Sequence, residues 1–169
     1  MRDSPRGWTR WLLVSAAVVA LDLLTKAWVS AVFAPGEGRD LAPFLRLVLV
    51  YNKGAAFSLL ADAGGWQRWF FTALAIVIAV AIVVALRRQH REPLAAAALA
   101  LVLGGALGNL WDRLTLGRVV DFVLVHWNEH AFPAFNVADS AITIGVAALL
   151  WESVRSKGRT AVGPRREET

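Results

Sequence analysis

Asp121 and Asp139 are the residues of this chain best placed to do chemistry. Asp121 stands in R-V-V-D-F at 118–122, and Asp139 in F-N-V-A-D-S at 135–140. Carboxylates beside hydrocarbon are costly to ionise and are rarely kept there without a role. Two that meet at about 3 Å cannot both ionise. They share one proton and titrate as a pair, so no separate pKa belongs to either. One is then a general base on a water molecule. The other, protonated, hydrogen-bonds a scissile carbonyl and stabilises the tetrahedral intermediate. That is the chemistry of an aspartic protease.

Each aspartate also has a plainer reading. Asn136 and Asp139 are three apart at the start of an apolar run, which is the spacing of a capping-box variant. Asp121 as a solvated strand residue fits less well, because Val119, Val120, Phe122 and Val123 surround it. Asn109 and Arg113, four apart on one helical face, are a candidate orienting amide and a candidate cation, or Arg113 is a snorkelling interface residue. Asp22 and Lys26 have the same spacing inside an apolar segment. They form either a functional pair or an ion pair that locks a helix to its neighbours. Gly104, Gly105 and Gly108 read as a close helix-packing face. In Asn52-Lys53-Gly54-Ala55-Ala56-Phe57 the small residues would let a substrate backbone approach.

The elements that must position these groups are apolar. Of 169 residues, 57% are hydrophobic, above the range of soluble domains, and they fall in long runs. Four segments, 11–33, 66–86, 94–111 and 137–154, approach the length of a membrane-spanning helix, the last two near the short limit. Trp11, Trp28, Trp66, Trp69, Trp111 and Trp151 fall near segment ends, where an aromatic belt lies. Between the segments, Phe44–Tyr51 and Val119–Trp127 read as strands. Both are apolar on both faces, which suits a small sheet resting on the bilayer surface. Pro35-Gly36-Glu37-Gly38 ends the first helix, and Phe132-Pro133-Ala134-Phe135 dips back into the interface. The expected fold is an all-α membrane protein of four transmembrane helices with a small extracytoplasmic β-sheet. Residues 1–10 are a basic lead, 11–154 the membrane domain, and 155–169 a charged, disordered tail.

Charge orients the chain. Arg2, Arg6 and Arg10 precede the first segment; Arg87, Arg88 and Arg91 fill the connection between the second and third; Arg155, Lys157, Arg159, Arg165 and Arg166 follow the fourth. The positive-inside rule puts these regions and both termini in the cytoplasm. The first segment is broken by Asp22 and Lys26 and followed by a poor cleavage junction at Ala34-Pro35, so it reads as a retained helix rather than a signal peptide. The chain has no cysteine, which excludes disulfides, thiolate metal sites and cysteine nucleophiles.

Five ordered motifs resemble the lipoprotein signal peptidase (signal peptidase II) family. They are L-D-L-L-T-K at 21–26, Y-N-K-G-A-A-F-S at 51–58, G-N-L-W-D-R at 108–113, R-V-V-D-F at 118–122 and F-N-V-A-D-S at 135–140. The similarity runs from about residue 12 to 154 with no departure at a motif position. It implies an aspartic dyad at Asp121 and Asp139, active-site support from Asn52, Gly54, Asn109, Arg113 and Asn136, and a structural role for Asp22 and Lys26. It also implies a substrate, a lipid-modified prolipoprotein cut on the N-terminal side of its diacylglyceryl-cysteine. The expected setting is the bacterial inner membrane, with membrane lipids as surroundings, no nucleic acid, no cofactor and no metal, and the enzyme a monomer.

Three rival readings use the same residues. A serine–lysine peptidase would pair Ser58 or Ser140 with Lys26, although nothing marks either serine as a nucleophile. A proton-coupled transporter would use Asp22, Lys26 and Asp139, but the polar residues cluster toward one membrane face rather than the midplane. A metal site would need Asp121, His126, His130 and Asp139, and the histidines lack helical metal-ligand spacing.

Overall fold

The computed structural model describes residues 7–53, 66–128 and 130–161, with backbone only at Gln67 and at 156–161. A 3-10 turn at Thr9–Trp11 leads into α1, Leu12–Val32. The strands β1, Gly38–Ala42, and β2, Leu45–Asn52, follow. Then come α2, Trp66–Gln89, and α3, Pro93–Thr115. The strands β3, Val119–Trp127, and β4, His130–Ala131, precede α4, Val137–Ala161. Four helices are long and apolar enough to cross a membrane. Their outward faces carry Leu13, Leu24, Trp28, Val77, Val80, Ile144, Leu150 and Trp151, all exposed. Apolar residues all round a helix are what a lipid surround requires.

Helix α3 is the centre of the bundle. The helices α1, α2 and α4 each pack closely on it, and among the described residues the backbone of α2 makes no such close approach to α1 or α4. The glycines of α3 are the reason α1 and α4 come so close. A Cβ at Gly108 would fall 2.6 Å from Asp22 Oδ2, and one at Gly105 would collide with the Ala138 carbonyl. Ser15 Oγ, on α1, donates to the Ala100 carbonyl of α3 at 2.8 Å. The close-packing face expected from these glycines is present.

The sheet is antiparallel in the order β1-β2-β3-β4. Val29 of α1 packs against Leu49 of β2 and Val120 and Phe122 of β3, which seats the sheet on the end of α1. The first four residues of β3, Val119 to Phe122, are buried on both faces. The β2–β3 register slips by one residue between Leu47 and Val50, opposite the stretch that holds Asp121. Bulges of this kind re-aim side chains beside functional sites.

Three features depart from the sequence expectations. The third and fourth helices are not short: α3 has 23 residues and α4 has 25. The third starts earlier because Pro93 suits the first helical position. The fourth runs on to Ala161, into the segment expected to be disordered from residue 155. Arg155, Lys157 and Arg159 are good helix formers, and their cations suit a helix C-terminus. Finally, β1 and β4 extend the expected pair of strands to four.

Candidate active site

The fold brings the two aspartates to one place through a single asparagine. Asn136, fully buried, precedes α4. Its Nδ2 donates to Asp121 Oδ1 at 2.7 Å and to the Val120 carbonyl at 3.1 Å. Its Oδ1 accepts from the Asp139 backbone N–H at 2.8 Å, and its own N–H donates to Asp139 Oδ2 at 3.3 Å. That reciprocal pair is a capping box. The two readings of Asp139 therefore coincide, because the cap is what holds the carboxylate beside Asp121.

The remaining carboxylate oxygens are also engaged. Asn52 Nδ2, at the end of β2, donates to Asp121 Oδ2 at 3.0 Å. Asn109 Nδ2, on α3, donates to Asp139 Oδ1 at 2.7 Å. Asn109 Oδ1 accepts from Lys26 Nζ at 3.1 Å and from Asn136 Nδ2 at 3.2 Å. The lysine fixes which way the Asn109 amide faces, since an ammonium can only donate.

Beneath the pair lies a buried ionic cluster. Lys26 Nζ is 2.6 Å from Asp22 Oδ2 and 2.9 Å from Asp112 Oδ2. Asp22 Oδ1 accepts from the Ala138 N–H in the first turn of α4 at 2.9 Å, and Asp112 Oδ2 accepts from the Val120 N–H at 3.0 Å. Asp22 thus places an anion at a helix N-terminus, and Asp112 ties α3 to β3. Asp22 and Lys26 pair within α1, and from there Lys26 reaches Asp112 of α3 and Asp22 reaches the Ala138 N–H of α4. Asp112 is the residue that sequence reasoning misses. Its position three residues after Asn109, on the same face, was the available signal.

Arg113 forms no ion pair with Asp112. Its Nη1 donates to the Asn109 carbonyl at 3.2 Å, and its guanidinium lies 5.5 Å from the Phe71 ring centroid. Its charge acts on Asp139, Asp121 and Asp112 together. Gly54 and Ser58 lie outside the described residues. Ser140 Oγ donates to the Asn136 carbonyl at 2.9 Å, while Lys26 is held by Asp22, Asp112 and Asn109, so Ser140 and Lys26 do not form a nucleophile–base pair. His126 and His130 lie at the far end of β3 and on β4, and among the described residues no group of three His, Asp or Glu is placed to hold a metal ion.

The electrostatics separate the two aspartates. Asp121 is only 1% exposed. Burial pushes its carboxyl up to about 7, and the charge of Asp139 adds to the rise, against hydrogen bonds from Asn52 and Asn136. A carboxyl at that value is about half protonated at neutral pH. Asp139 instead lines two apolar cavities. One, of about 350 Å³, has walls of Phe132, Phe135, Thr143 and Ile144. The other, of about 370 Å³, is walled by Phe71, Leu74 and Ile78 of α2, Val102 and Ala106 of α3, and Ile142 and Val146 of α4. A buried carboxyl, a second carboxyl opening on apolar grooves, and a scaffold of four helices together narrow the comparison with known proteins.

Residues 14–155 match the family model described as signal peptidase (SPase) II. The chain belongs to the signal peptidase II family. A lipoprotein signal peptidase of Azoarcus sp. (strain BH72) is 52% identical over 158 residues, covering 92% of this chain and 89% of that protein. One from Pseudomonas aeruginosa (strain UCBPP-PA14) is 53% identical over 150 residues, covering 87% and 89%. Two solved structures, each described as a bacterial membrane enzyme, share the fold. One has a TM-score of 0.81 at 29% identity, covering 95% of this chain and 94% of that one. The other has a TM-score of 0.76 at 32% identity, covering 85% and 92%. The resemblance drawn from five short motifs therefore extends over nearly the whole chain, in sequence and in fold.

Proposed function

We propose that this chain is a membrane-embedded aspartic endopeptidase that removes the signal peptide from diacylglyceryl-modified prolipoproteins, cutting on the N-terminal side of the lipidated cysteine. The observation that carries the reading is the asparagine-bridged pair, Asp121 and Asp139, at the head of a membrane helix and beside apolar grooves. Family membership supports the substrate class.

The two carboxyls take different roles. Asp121, whose proton is retained up to about 7, donates a hydrogen bond to the scissile carbonyl and withdraws charge from it. Asp139 accepts a proton from a water molecule, whose oxygen attacks the carbonyl carbon. The tetrahedral intermediate collapses as the C–N bond breaks, and the proton taken by Asp139 passes to the leaving amine of the cysteine. Asn109 and Asn136 hold the two carboxyls in register, and Asn52 supports Asp121. Arg113, beside both carboxyls, and Gly54 are assigned to substrate binding.

The substrate is anchored in lipid, so it must arrive sideways. The groove between α2 and α4, over α3, opens laterally and leads to Asp139. Its walls suit a signal helix or acyl chains, and their binding would hold the cleavage point beside the dyad, which is binding energy used for positioning. The location that fits is the bacterial inner membrane, with both termini cytoplasmic, the dyad near the outer face and the enzyme active as a monomer.

The test compares matched lipidated and unlipidated preproteins, each with and without EDTA. The proposal expects cleavage of the lipidated substrate only, unchanged by chelator. Equal rates on both substrates would remove lipid anchoring as the basis of specificity, and loss of activity with EDTA would point to a metal instead.

A further inference from the structure

A third cavity runs from the middle of the bundle toward the end away from Asp139. It has a volume of about 460 Å³ and sits between α1 and α2 over α3, lined by Leu12, Ala79, Val83, Leu103 and Leu107, with Arg87 at the end of α2. It exists because the backbones of α1 and α2 do not come close, each leaning on α3 instead. Walls facing empty space lose their dispersion contacts, and in a bilayer the matter at hand to restore them is hydrocarbon.

The polar end of this cleft is built as well. Arg87 Cζ lies 4.8 Å from the centroid of Trp8, and Arg10 Cζ lies 5.3 Å from that of Trp11. Trp11 Nε1 donates to the His90 carbonyl at 3.2 Å. Trp8, Trp11 and Leu12 pack against the same apolar cluster as Ala79 and Val83. The turn before α1 is therefore folded against the α2–α3 connection, and it brings Arg10 to the end of the cleft that Arg87 lines, with Arg88 next to Arg87 in sequence. Among the described residues no carboxylate forms an ion pair with any of the three.

We propose that this cleft is a binding site for an anionic phospholipid. One acyl chain lies between α1 and α2, and the phosphate headgroup sits on Arg87 and its basic neighbours. Basic pockets between membrane helices on the arginine-rich side are the sites that anionic headgroups select. A zwitterionic lipid fits the apolar part equally well but brings its own cation to a cluster of guanidinium groups. The site uses no residue of the dyad and stands independently of the peptidase reading.

The experiment uses the full chain in detergent micelles, stripped of lipid and titrated with phosphatidylglycerol or phosphatidylcholine of identical acyl chains. Native mass spectrometry reads bound lipid, and the thermal midpoint reads its effect. Wild type should bind phosphatidylglycerol about fivefold more tightly, the difference one basic residue makes near a lipid surface. Arg87→Gln should bring phosphatidylglycerol down to the phosphatidylcholine level, while Arg87→Lys keeps the preference. Ala79→Phe, which fills the cleft, should weaken both lipids. Should that variant fail to fold, Arg87→Gln decides alone. Equal binding of the two lipids by wild type, or a preference that survives in Arg87→Gln, overturns the proposal.

Discussion

Asp121 and Asp139 differ in what surrounds them, and that difference sets the expected pH behaviour. In the proposed mechanism Asp121 must be protonated to donate to the carbonyl, and Asp139 must be ionised to accept from water. Burial raises Asp121 to about 7, so the working form of the pair is lost as pH rises through that value. The rate should fall about tenfold per pH unit above it, in a limb that belongs to the pair. Asn52 favours the ionised form of Asp121 by donating to it. Asn52→Ala should therefore move the alkaline limb upward, measured as kcat/KM against pH on a lipidated substrate. A rate that climbs steadily beyond pH 8 would contradict the role given to Asp121. At this scale the sequence was informative where residue types were unusual for their setting. Asp121, Asp139, Asn109 and Asn136 stood out from apolar neighbours. Asp112 did not, because an adjacent arginine offers an ordinary explanation for an aspartate, and only the fold turns it toward Lys26.

At the scale of elements, α2 is the least supported wall of the groove, since among the described residues its backbone comes close to that of α3 but not to α1 or α4. Its outer end is tied by Arg68, whose Nη2 donates to the Leu114 carbonyl at 2.8 Å and whose guanidinium lies against Gly117. Gly117 has φ of 72°, a conformation that suits glycine, and a side chain there would press on Arg68. Arg68→Ala should loosen this wall. We expect KM for a lipidated substrate to rise severalfold with kcat near wild type, because an exposed hydrogen bond of about 1 kcal/mol is lost away from the dyad. An equal fall in kcat with KM unchanged would place Arg68 in the chemistry. The four helices were legible because a span of hydrocarbon demands a long apolar run. The strands β2 and β3 were legible because branched and aromatic residues alternate in short runs between turns. The strand β1, G-R-D-L-A, was not: it is an exposed edge whose strand character comes from pairing with β2. The extension of α4 was hidden for a related reason, since its charges resemble those of a solvated tail.

The whole molecule is organised by which end faces which compartment. Arginine and lysine gather at the start of α1, the α2–α3 turn and the end of α4, and the dyad lies at the other end of the bundle. Orientation can be read by placing single cysteines in this cysteine-free chain. Arg39→Cys, on exposed β1, should react with an impermeant thiol reagent applied from outside, and Arg88→Cys and Gly158→Cys should not. Position 38 is unsuitable, because a Cβ at Gly38 would collide with the Leu47 carbonyl. Outside labelling at position 88 would reverse the topology. The separation of the basic end from the dyad was legible in the distribution of charge, and the topology it implies is what the labelling tests, whereas the meeting of α1, α3, α4 and the sheet over one buried ionic cluster depends on packing that no single segment encodes.

The claim on which the rest depends is that Asp121 and Asp139 act together. The most direct measurement is turnover of a lipidated preprotein by purified Asp121→Asn and Asp139→Asn, with thermal unfolding of each recorded alongside. Asparagine nearly matches aspartate in shape but cannot act as a base or share a proton, so each variant should fold. At position 139, where the side chain also belongs to the helix cap, the stability cost should be about 1 kcal/mol or less. Turnover should drop by about 10²–10⁴-fold or more in either variant. Near-wild-type turnover by a folded Asp121→Asn or Asp139→Asn would contradict the dyad.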